Sequence, residues 1–323
     1  MGRWHARYAT RNRAQVVAIV DRDLVAANRL RAGFPAAAAF ADLPTMLAAI
    51  TPDVVHVCTP VHTHSQLVTA ALERRVHVMI EKPLATDAAQ TRHLLDIADA
   101  TGMILCPVYQ FPFQYGFRQA QQWLLAHGPP LRVDLTICSA GAERLGPRAD
   151  EQLVREILPH PTSVLCMLTG QDVVDHSRWT VARTAEGEFF ACGPVGAVEA
   201  SICLSTHARP PRSEARVLCA SGTLHLDFFH GYSVVQEARG RRIGKIMLPF
   251  DAAVGQSVAA ARNLLRRALA GEPAYPGLRT LIAAFFAAAT QRGPPPFSRP
   301  LIETIASWCD HLGTYRSNQA PMR

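Results

Sequence analysis

The sequence predicts an α/β fold followed by an α+β fold, and the order of its apolar segments is the main reason. In residues 1–127, short β-branched runs alternate with segments of helical length, as in a parallel sheet with crossover helices. After Gly128-Pro129-Pro130, closely spaced short strands follow, and the last third is helical. We therefore expect a parallel-sheet domain at 1–127 and an α+β domain with a mostly antiparallel open sheet at 128–323.

The elements follow in order from these patterns. In the first domain we expect strands at 15–21, 37–40, 53–58, 76–80 and 103–108, and helices at 23–32, 43–50, 66–74, 86–101 and 113–126. In the second domain we expect strands at 131–139, 177–184, 188–192, 195–205, 216–220, 223–228 and 232–238, and helices at 255–269, 277–291 and 301–315. Thr86 is the expected N-cap of the helix that ends at Gly102.

Composition limits the function classes. The 323 residues suit two domains, and the net charge of +7 rests on scattered arginines without interleaved aromatics, which argues against nucleic-acid binding. Eight cysteines without CxxC spacing indicate reduced thiols in a cytoplasmic protein. No apolar run reaches 18 residues and no leader is expected, so we predict neither membrane insertion nor secretion.

The strand at 76–80 ends in Glu81, Lys82 and Pro83. Ligands of open parallel sheets bind outside the carboxyl ends of the strands, so Lys82 is a candidate to hold a substrate oxygen by charge and hydrogen bond. The residues alone also allow a solvent-facing ion pair at a strand end.

Asp21 follows the first expected strand. In a dinucleotide-binding fold an acid at this place accepts hydrogen bonds from the adenosine ribose and repels a 2′-phosphate, which favours NAD. Arg22 can instead pair with a phosphate, which leaves NADP as the alternative.

These segments together resemble the glucose-fructose oxidoreductase / inositol dehydrogenase (Gfo/Idh/MocA) family, with a Rossmann-type first domain. The resemblance is carried by the strand that ends in Thr59-Pro60, by His64 and by the HVxxEKPLA segment. It implies that Lys82 lies beside the nicotinamide and the substrate hydroxyl, and that the Lys82–Pro83 peptide bond is cis. It also implies that His64 caps a helix near the cofactor, and it places Thr59, Pro60 and Glu81 at the cofactor site.

The family's fingerprint GxGxxGxxH is only partly present. Gly2, Arg3, Trp4 and His5 match its last four positions, and Gly2 becomes a candidate cofactor residue. The preceding strand and glycines are not in the sequence, so we expect a parallel sheet without its first strand, in a chain truncated at its N-terminus. A misassigned start and a real loss of the strand both stay open.

Glu156 and His160 match an acid and a histidine that the family carries four residues apart at the start of a helix facing the nicotinamide. His160 is the expected general base, and Glu156 the residue that orients substrate or base. A histidine that serves only as a hydrogen-bond partner at a helix start is the alternative. The pair His62 and His64 lacks a third ligand, so no metal is expected.

The expected function is NAD(P)-dependent hydride transfer between nicotinamide and a secondary alcohol or ketone carbon of a sugar-like or cyclic substrate. The alternatives are an imine or tetrapyrrole-type reductase and a non-catalytic protein that senses cofactor or sugar. Loops 141–150 and 239–244 are expected to line the pocket. The resemblance further implies a homodimer or homotetramer that associates through the second-domain sheet.

Overall fold

The computed structural model describes residues 1–139, 154–183, 187–237 and 242–314. The chain divides into two compact units: Met1–Val108 with Leu278–Ala306, and Tyr109–Gly277 with Ser307–Arg323. This division differs in two places from a boundary after residue 127. The helix at 115–127 packs on strands of the second unit, and the helix at 278–289 packs on the first helix of the chain. The division of the chain into two units therefore depends on packing between segments that are distant in sequence.

The first unit alternates strands and helices as expected. Its strands are β1 (Ala18–Val20), β2 (Ala38–Phe40), β3 (Val54–Val57), β4 (His77–Ile80) and β5 (Leu105–Pro107). Its helices up to β5 are α1 (Gly2–Arg11), α2 (Leu24–Arg31), α3 (Leu43–Ala49), α4 (His64–Glu73) and α5 (Ala88–Thr101). The strands form two parallel sheets, β1–β2 and β3–β4–β5. The parallel pairing predicted from the sequence is confirmed.

Aspartate side chains begin three of these helices. Asp23, Asp42 and Asp87 each accept a hydrogen bond from a backbone N–H of the first turn, which satisfies a donor that the helix leaves unpaired. The expectation that Thr86 caps α5 was wrong, because the Asp87 carboxylate one residue later accepts from the Gln90 N–H at 2.8 Å. Gly102 ends α5 in the left-handed conformation, as the sequence predicted.

The second unit is built around a seven-stranded sheet. Its strands are β6 (Arg132–Cys138), β7 (Thr180–Ala182), β8 (Glu188–Val195), β9 (Val198–Ser205), β10 (Arg212–Cys219), β11 (Gly222–Asp227) and β12 (Tyr232–Glu237). They lie in the order β12-β11-β10-β6-β9-β8-β7, and among the described strands of this sheet the β6–β9 pair alone is parallel. The predicted mostly antiparallel sheet is confirmed.

The remaining helices are α6 (Tyr115–His127), α7 (Pro159–Thr169), α8 (Arg242–Ala270), α9 (Leu278–Ala289) and α10 (Arg299–Thr314). The expectation that α8 begins at 255 was wrong, because the helix runs through Pro249. Proline lacks the N–H that a helix interior uses, so Pro249 argues locally for a later start than the structure shows. No helix among the described residues is long and apolar enough to cross a membrane.

Candidate active site

Lys82 follows the most deeply buried strand of the first unit. β4 lies between β3 and β5, and its residues Val78, Met79 and Ile80 have no exposed surface. Pairing continues one residue further, since the Glu81 N–H donates to the Val57 carbonyl at 2.9 Å. The chain then turns at a cis Lys82–Pro83 peptide bond, the geometry that the family resemblance implied. Lys82 is half-buried at the carboxyl end of the sheet.

His64 joins the two turns that flank this lysine. Its Nε2 lies 2.8 Å from the Thr59 carbonyl oxygen, and its Nδ1 lies 3.0 Å from that of Pro83. The side chain is buried, with 1% of its surface exposed. Each ring nitrogen of His64 therefore lies within hydrogen-bond distance of a backbone carbonyl, so the side chain links the turn after β3 to the turn after β4. The expectation that His64 caps the following helix was wrong, because the N-cap of α4 is Thr63 and has no side-chain cap hydrogen bond.

Glu81 belongs to a buried chain of hydrogen bonds that the sequence did not reveal. His5 Nε2 lies 3.0 Å from Glu81 Oε1, and His5 Nδ1 lies 2.9 Å from His56 Nδ1. His5 comes from α1 and His56 from β3, so three elements meet at this point. The second ring nitrogen of His56 has no hydrogen-bond partner among the described residues. His5 and Glu81 are buried and His56 is half-buried, and we name these three residues the buried triad.

The charges of the buried triad follow from its contacts. Burial alone would lower the pKa of His5, but the neighbouring Cys58 and Glu81 more than offset it and raise the pKa to about 9. The pKa of Glu81 is lowered although burial opposes this, because His5 and the charge and backbone N–H of Lys82 favour the carboxylate. Burial, with a smaller contribution from the His5 charge, lowers the pKa of His56 well below its usual value. At neutral pH the triad therefore holds an imidazolium between a carboxylate and a neutral imidazole.

The two expected ribose residues lie on the other parallel sheet of this unit. The exposed Asp21 carboxylate follows β1 and accepts a hydrogen bond from the Asp23 N–H at 2.9 Å. Arg22 is exposed beside it. Gly2 begins α1, and a side-chain Cβ built there meets nothing within 4 Å, so no close backbone contact requires glycine at this position.

The second unit holds Glu156 and His160. His160 lies in the first turn of α7, and its ring stacks on Phe111 with centroids 4.2 Å apart. Phe111 in turn stacks on Phe228 at 5.0 Å, so two aromatic rings fix the plane of the imidazole. Glu156 is half-buried in a helical segment just before α7. Stacking on rings from distant segments gives no sequence signal, since any buried phenylalanine reads as core.

Contacts among the described residues connect one part of the predicted site, and the other two parts lie on other elements. Thr59, Pro60, His64, Glu81, Lys82 and Pro83 adjoin one another around the ends of β3 and β4. Asp21 and Arg22 follow β1, while Glu156 and His160 belong to the second unit. Of the expected pocket loops, 141–150 and residues 239–241 lie outside the described residues.

Comparison with known proteins shows which family model and which proteins the chain is similar to. Residues 1–109 match the model of the GFO_IDH_MocA family, an oxidoreductase family with an NAD-binding Rossmann fold. The chain is 36% identical over 115 residues to the D-glucoside 3-dehydrogenase of Escherichia coli K12, an alignment that covers 36% of this chain and 33% of that protein. It is 24% identical over 246 residues to the UDP-N-acetylglucosamine 3-dehydrogenase of Acidithiobacillus ferrooxidans, covering 71% and 72%.

Solved structures share the fold over nearly the whole chain. The Acidithiobacillus ferrooxidans UDP-N-acetylglucosamine 3-dehydrogenase superposes with a TM-score of 0.72 at 18% identity, covering 96% of this chain and 92% of that one. The WlbA dehydrogenase of Bordetella pertussis, solved with NADH and UDP-GlcNAcA, gives 0.72 at 17% identity and covers 96% and 91%. The first curated relatives are matched over only 33%, 48% and 38% of their lengths.

Proposed function

We infer that this chain, whose first 109 residues match the model of a family of NAD-binding oxidoreductases, oxidises a secondary alcohol on a sugar-like or cyclic substrate, or reduces the matching ketone. The observation that carries this proposal is the placement of Lys82. It stands at the carboxyl end of β4, the middle strand of its parallel sheet, where ligands of such sheets bind.

The relatives support an alcohol on a ring as the reacting group. They include proteins named for dehydrogenation of a glucoside and of UDP-N-acetylglucosamine at position 3, and of inositol at position 2. Each of these names places the dehydrogenation at a numbered position of a sugar or an inositol. This favours alcohol chemistry over the imine or tetrapyrrole alternative that the sequence left open.

The residues present fit a nicotinamide dinucleotide. The Asp21 carboxylate is exposed and accepts one backbone hydrogen bond, so it retains acceptor capacity for ribose hydroxyl donors. Arg22 beside it carries the positive charge that a 2′-phosphate would need. When bound, the cofactor supplies the nicotinamide ring that exchanges hydride. We propose NAD as the preferred cofactor, and a relative from Bacillus subtilis named for NADP shows that the family also includes the other choice.

Each proposed catalytic residue has a distinct task. The Lys82 ammonium binds the substrate oxygen and stabilises negative charge that develops on it. The His160 imidazole, whose plane is fixed by the Phe111 stack, takes the hydroxyl proton during oxidation and returns it during reduction. Glu156 orients the substrate or His160.

A kinetic test separates this proposal from a binding protein without turnover. Purified protein is mixed with NAD and a panel of ring alcohols, namely inositols, D-glucosides and UDP-N-acetylglucosamine, and NADH formation is followed. We expect turnover with at least one ring alcohol. We expect losses of about 10²–10⁴-fold in Lys82→Ala and in His160→Ala.

Two further variants give this test its controls. Lys82→Arg is expected to fail as well, since a planar fork does not replace a compact ammonium at one oxygen. The exposed His93 on α5 is the matched control, and His93→Ala should retain full activity. Cofactor binding without NADH formation on any alcohol would favour the sensing alternative. The expected homodimer or homotetramer remains a prediction, which light scattering measures directly.

A further inference from the structure

The long helix α8 packs on the second-domain sheet with one face and exposes the opposite face. On the packed face, Gln256 Nε2 donates to the Tyr232 hydroxyl of β12 at 3.4 Å. Asn263 Nδ2 donates to the backbone carbonyl of His230, in the turn before β12, at 2.9 Å. These bonds fix which side of the helix points away from β12.

The exposed face of α8 carries apolar residues at spacings of three and four. An α-helix returns to the same face after such intervals, so these residues form one stripe about 30 Å long. Phe250, Val254, Leu265 and Leu269 expose 64%, 62%, 62% and 81% of their surface. We name as the apolar stripe the six exposed residues Phe250, Val254, Val258, Ala261, Leu265 and Leu269.

The exposed area of the apolar stripe is large for an isolated chain. For side chains of these sizes and exposed fractions it amounts to roughly 700 Å², above the few hundred Å² that monomeric proteins usually expose as one apolar patch. An interface of standard size buries about 1,200–2,000 Å² over its two partners. Two stripes packed on each other would remove roughly 1,400 Å² from water, so a second copy of this chain supplies the area that a stable contact needs.

Two charges beside the apolar stripe indicate the direction of such a contact. Asp251 and Arg262 are exposed and lie about three helical turns apart, so they share one edge of the stripe. In a two-fold symmetric pair of antiparallel helices, this edge of one copy meets the same edge of the other, running in the opposite direction. Asp251 then lies within one or two turns of Arg262 of the partner subunit, and the pair occurs twice. A parallel arrangement would separate the two edges.

A membrane surface fits the apolar stripe less well than a second copy does. Helices that lie in a membrane interface carry basic residues beside their apolar face, whereas this edge carries one acid and one arginine. The next two arginines serve contacts within the unit. Arg267 donates to the carbonyl oxygens of His230, Glu272 and Pro273, and Arg266 lies 3.7 Å from the Glu272 carboxylate.

We propose that α8 is a self-association surface, on which two copies of the chain pack their apolar stripes together as antiparallel helices with Val258 near the two-fold axis. This contact is distinct from the association through the second-domain sheet that the family resemblance implies, and the two contacts together would give a tetramer. The inference does not depend on the proposed dehydrogenase function, because it concerns assembly of the chain without substrate or cofactor.

Sedimentation equilibrium of the full chain tests this contact. We expect Val258→Glu to halve the assembled mass, because a carboxylate near the axis would meet its own copy in an apolar interface. The matched control is Leu125→Glu on α6, since Leu125 is 88% exposed and lies outside the stripe. The control should keep the mass of the unaltered protein. A monomeric unaltered protein, or an unchanged mass in Val258→Glu, would overturn the proposal.

A charge exchange tests the antiparallel arrangement without replacing any apolar residue. Asp251→Arg and Arg262→Asp should each raise the dissociation constant of self-association by about tenfold or more, and the double variant should restore it. A double variant as weak as the single ones would overturn the antiparallel contact. Flotation with phosphatidylserine vesicles tests the membrane alternative. Vesicle binding that Val258→Glu abolishes, with no change of mass in sedimentation, would overturn the proposal in favour of a membrane surface.

Discussion

Glu81 and Lys82 are chain neighbours with opposite surroundings. The carboxylate is buried between α1 and β3, where His5 supplies a counter-charge, whereas the ammonium is half-buried at the end of the sheet. Alternation along an extended chain explains how adjacent side chains face different environments. The structure pairs the Glu81 carboxylate with His5 at 3.0 Å, a partner that the sequence did not suggest.

His5 should make the stability of the protein depend on pH. Its folded-state pKa of about 9 lies above the ordinary value of 6.5, so the stabilisation is complete below about 6.5 and is lost as pH rises through 9. The loss should amount to roughly 3 kcal/mol of unfolding free energy. Urea unfolding at a series of pH values measures it. Subtracting the pH dependence measured for His5→Gln removes the contributions of other titrating groups to the unfolding free energy. Equal losses of unfolding free energy at alkaline pH in the two proteins would contradict this prediction.

Asp21 should set the cofactor preference. Replacing it by alanine removes hydrogen bonds to a charged acceptor, which should weaken NAD binding by about tenfold or more. NADP binding should change little or improve, because like-charge repulsion is removed. Calorimetry with both cofactors measures this, and Arg22→Ala serves as the matched variant. If NADP binds more tightly than NAD to the unaltered protein, Arg22 and not Asp21 governs recognition.

At the scale of elements, one glycine determines how α6 meets β12. A Cβ built on Gly116 would lie 2.3 Å from the Tyr232 backbone carbon, and the Gly116 N–H donates to the Gly231 carbonyl at 3.1 Å. Backbone cannot yield as a flexible side chain can. Gly116→Ala should therefore lower the unfolding free energy by about 3 kcal/mol, as overpacking does.

A second helical glycine provides the control for that experiment. A Cβ on Gly255 in α8 would meet Val234 Cγ1 at 3.4 Å, an ordinary contact. Gly255→Ala should be neutral or slightly stabilising, because alanine is the better helix former. Thermal unfolding of the two variants compares them, and similar melting temperatures would show that α6 can withdraw from β12.

Elements with strong local patterns could be predicted, and those that depend on distant partners could not. The β-branched residues in the run before Glu81 predict a buried strand, and β4 lies where it was expected. The start of α8 was missed because Pro249 argues locally against a helix. The His5–Glu81 contact joins residues 76 positions apart, and neither local propensity nor periodicity carries such information.

For the whole molecule, the first unit includes a segment from late in the chain, Leu278–Ala306. α9 adds the fully buried Leu278, Leu281 and Phe285, and its two phenylalanines enclose His56 of the triad. Arg299 at the start of α10 pairs with Asp96 and Asp99 of α5. The expected domain boundary after residue 127 could not place these segments in the first unit. Their packing partners lie some two hundred residues earlier in the chain.

We propose that this chain moves a hydride from a ring carbon that bears a hydroxyl to nicotinamide. The most direct measurement uses an accepted ring alcohol carrying deuterium on that carbon, with NAD, and locates the label by mass spectrometry and proton NMR of the reduced cofactor. We predict one deuterium at C4 of the nicotinamide, on a single face, formed about 10²–10⁴-fold more slowly in Lys82→Ala. Reduced cofactor without deuterium, or no reduced cofactor with any ring alcohol, would contradict it.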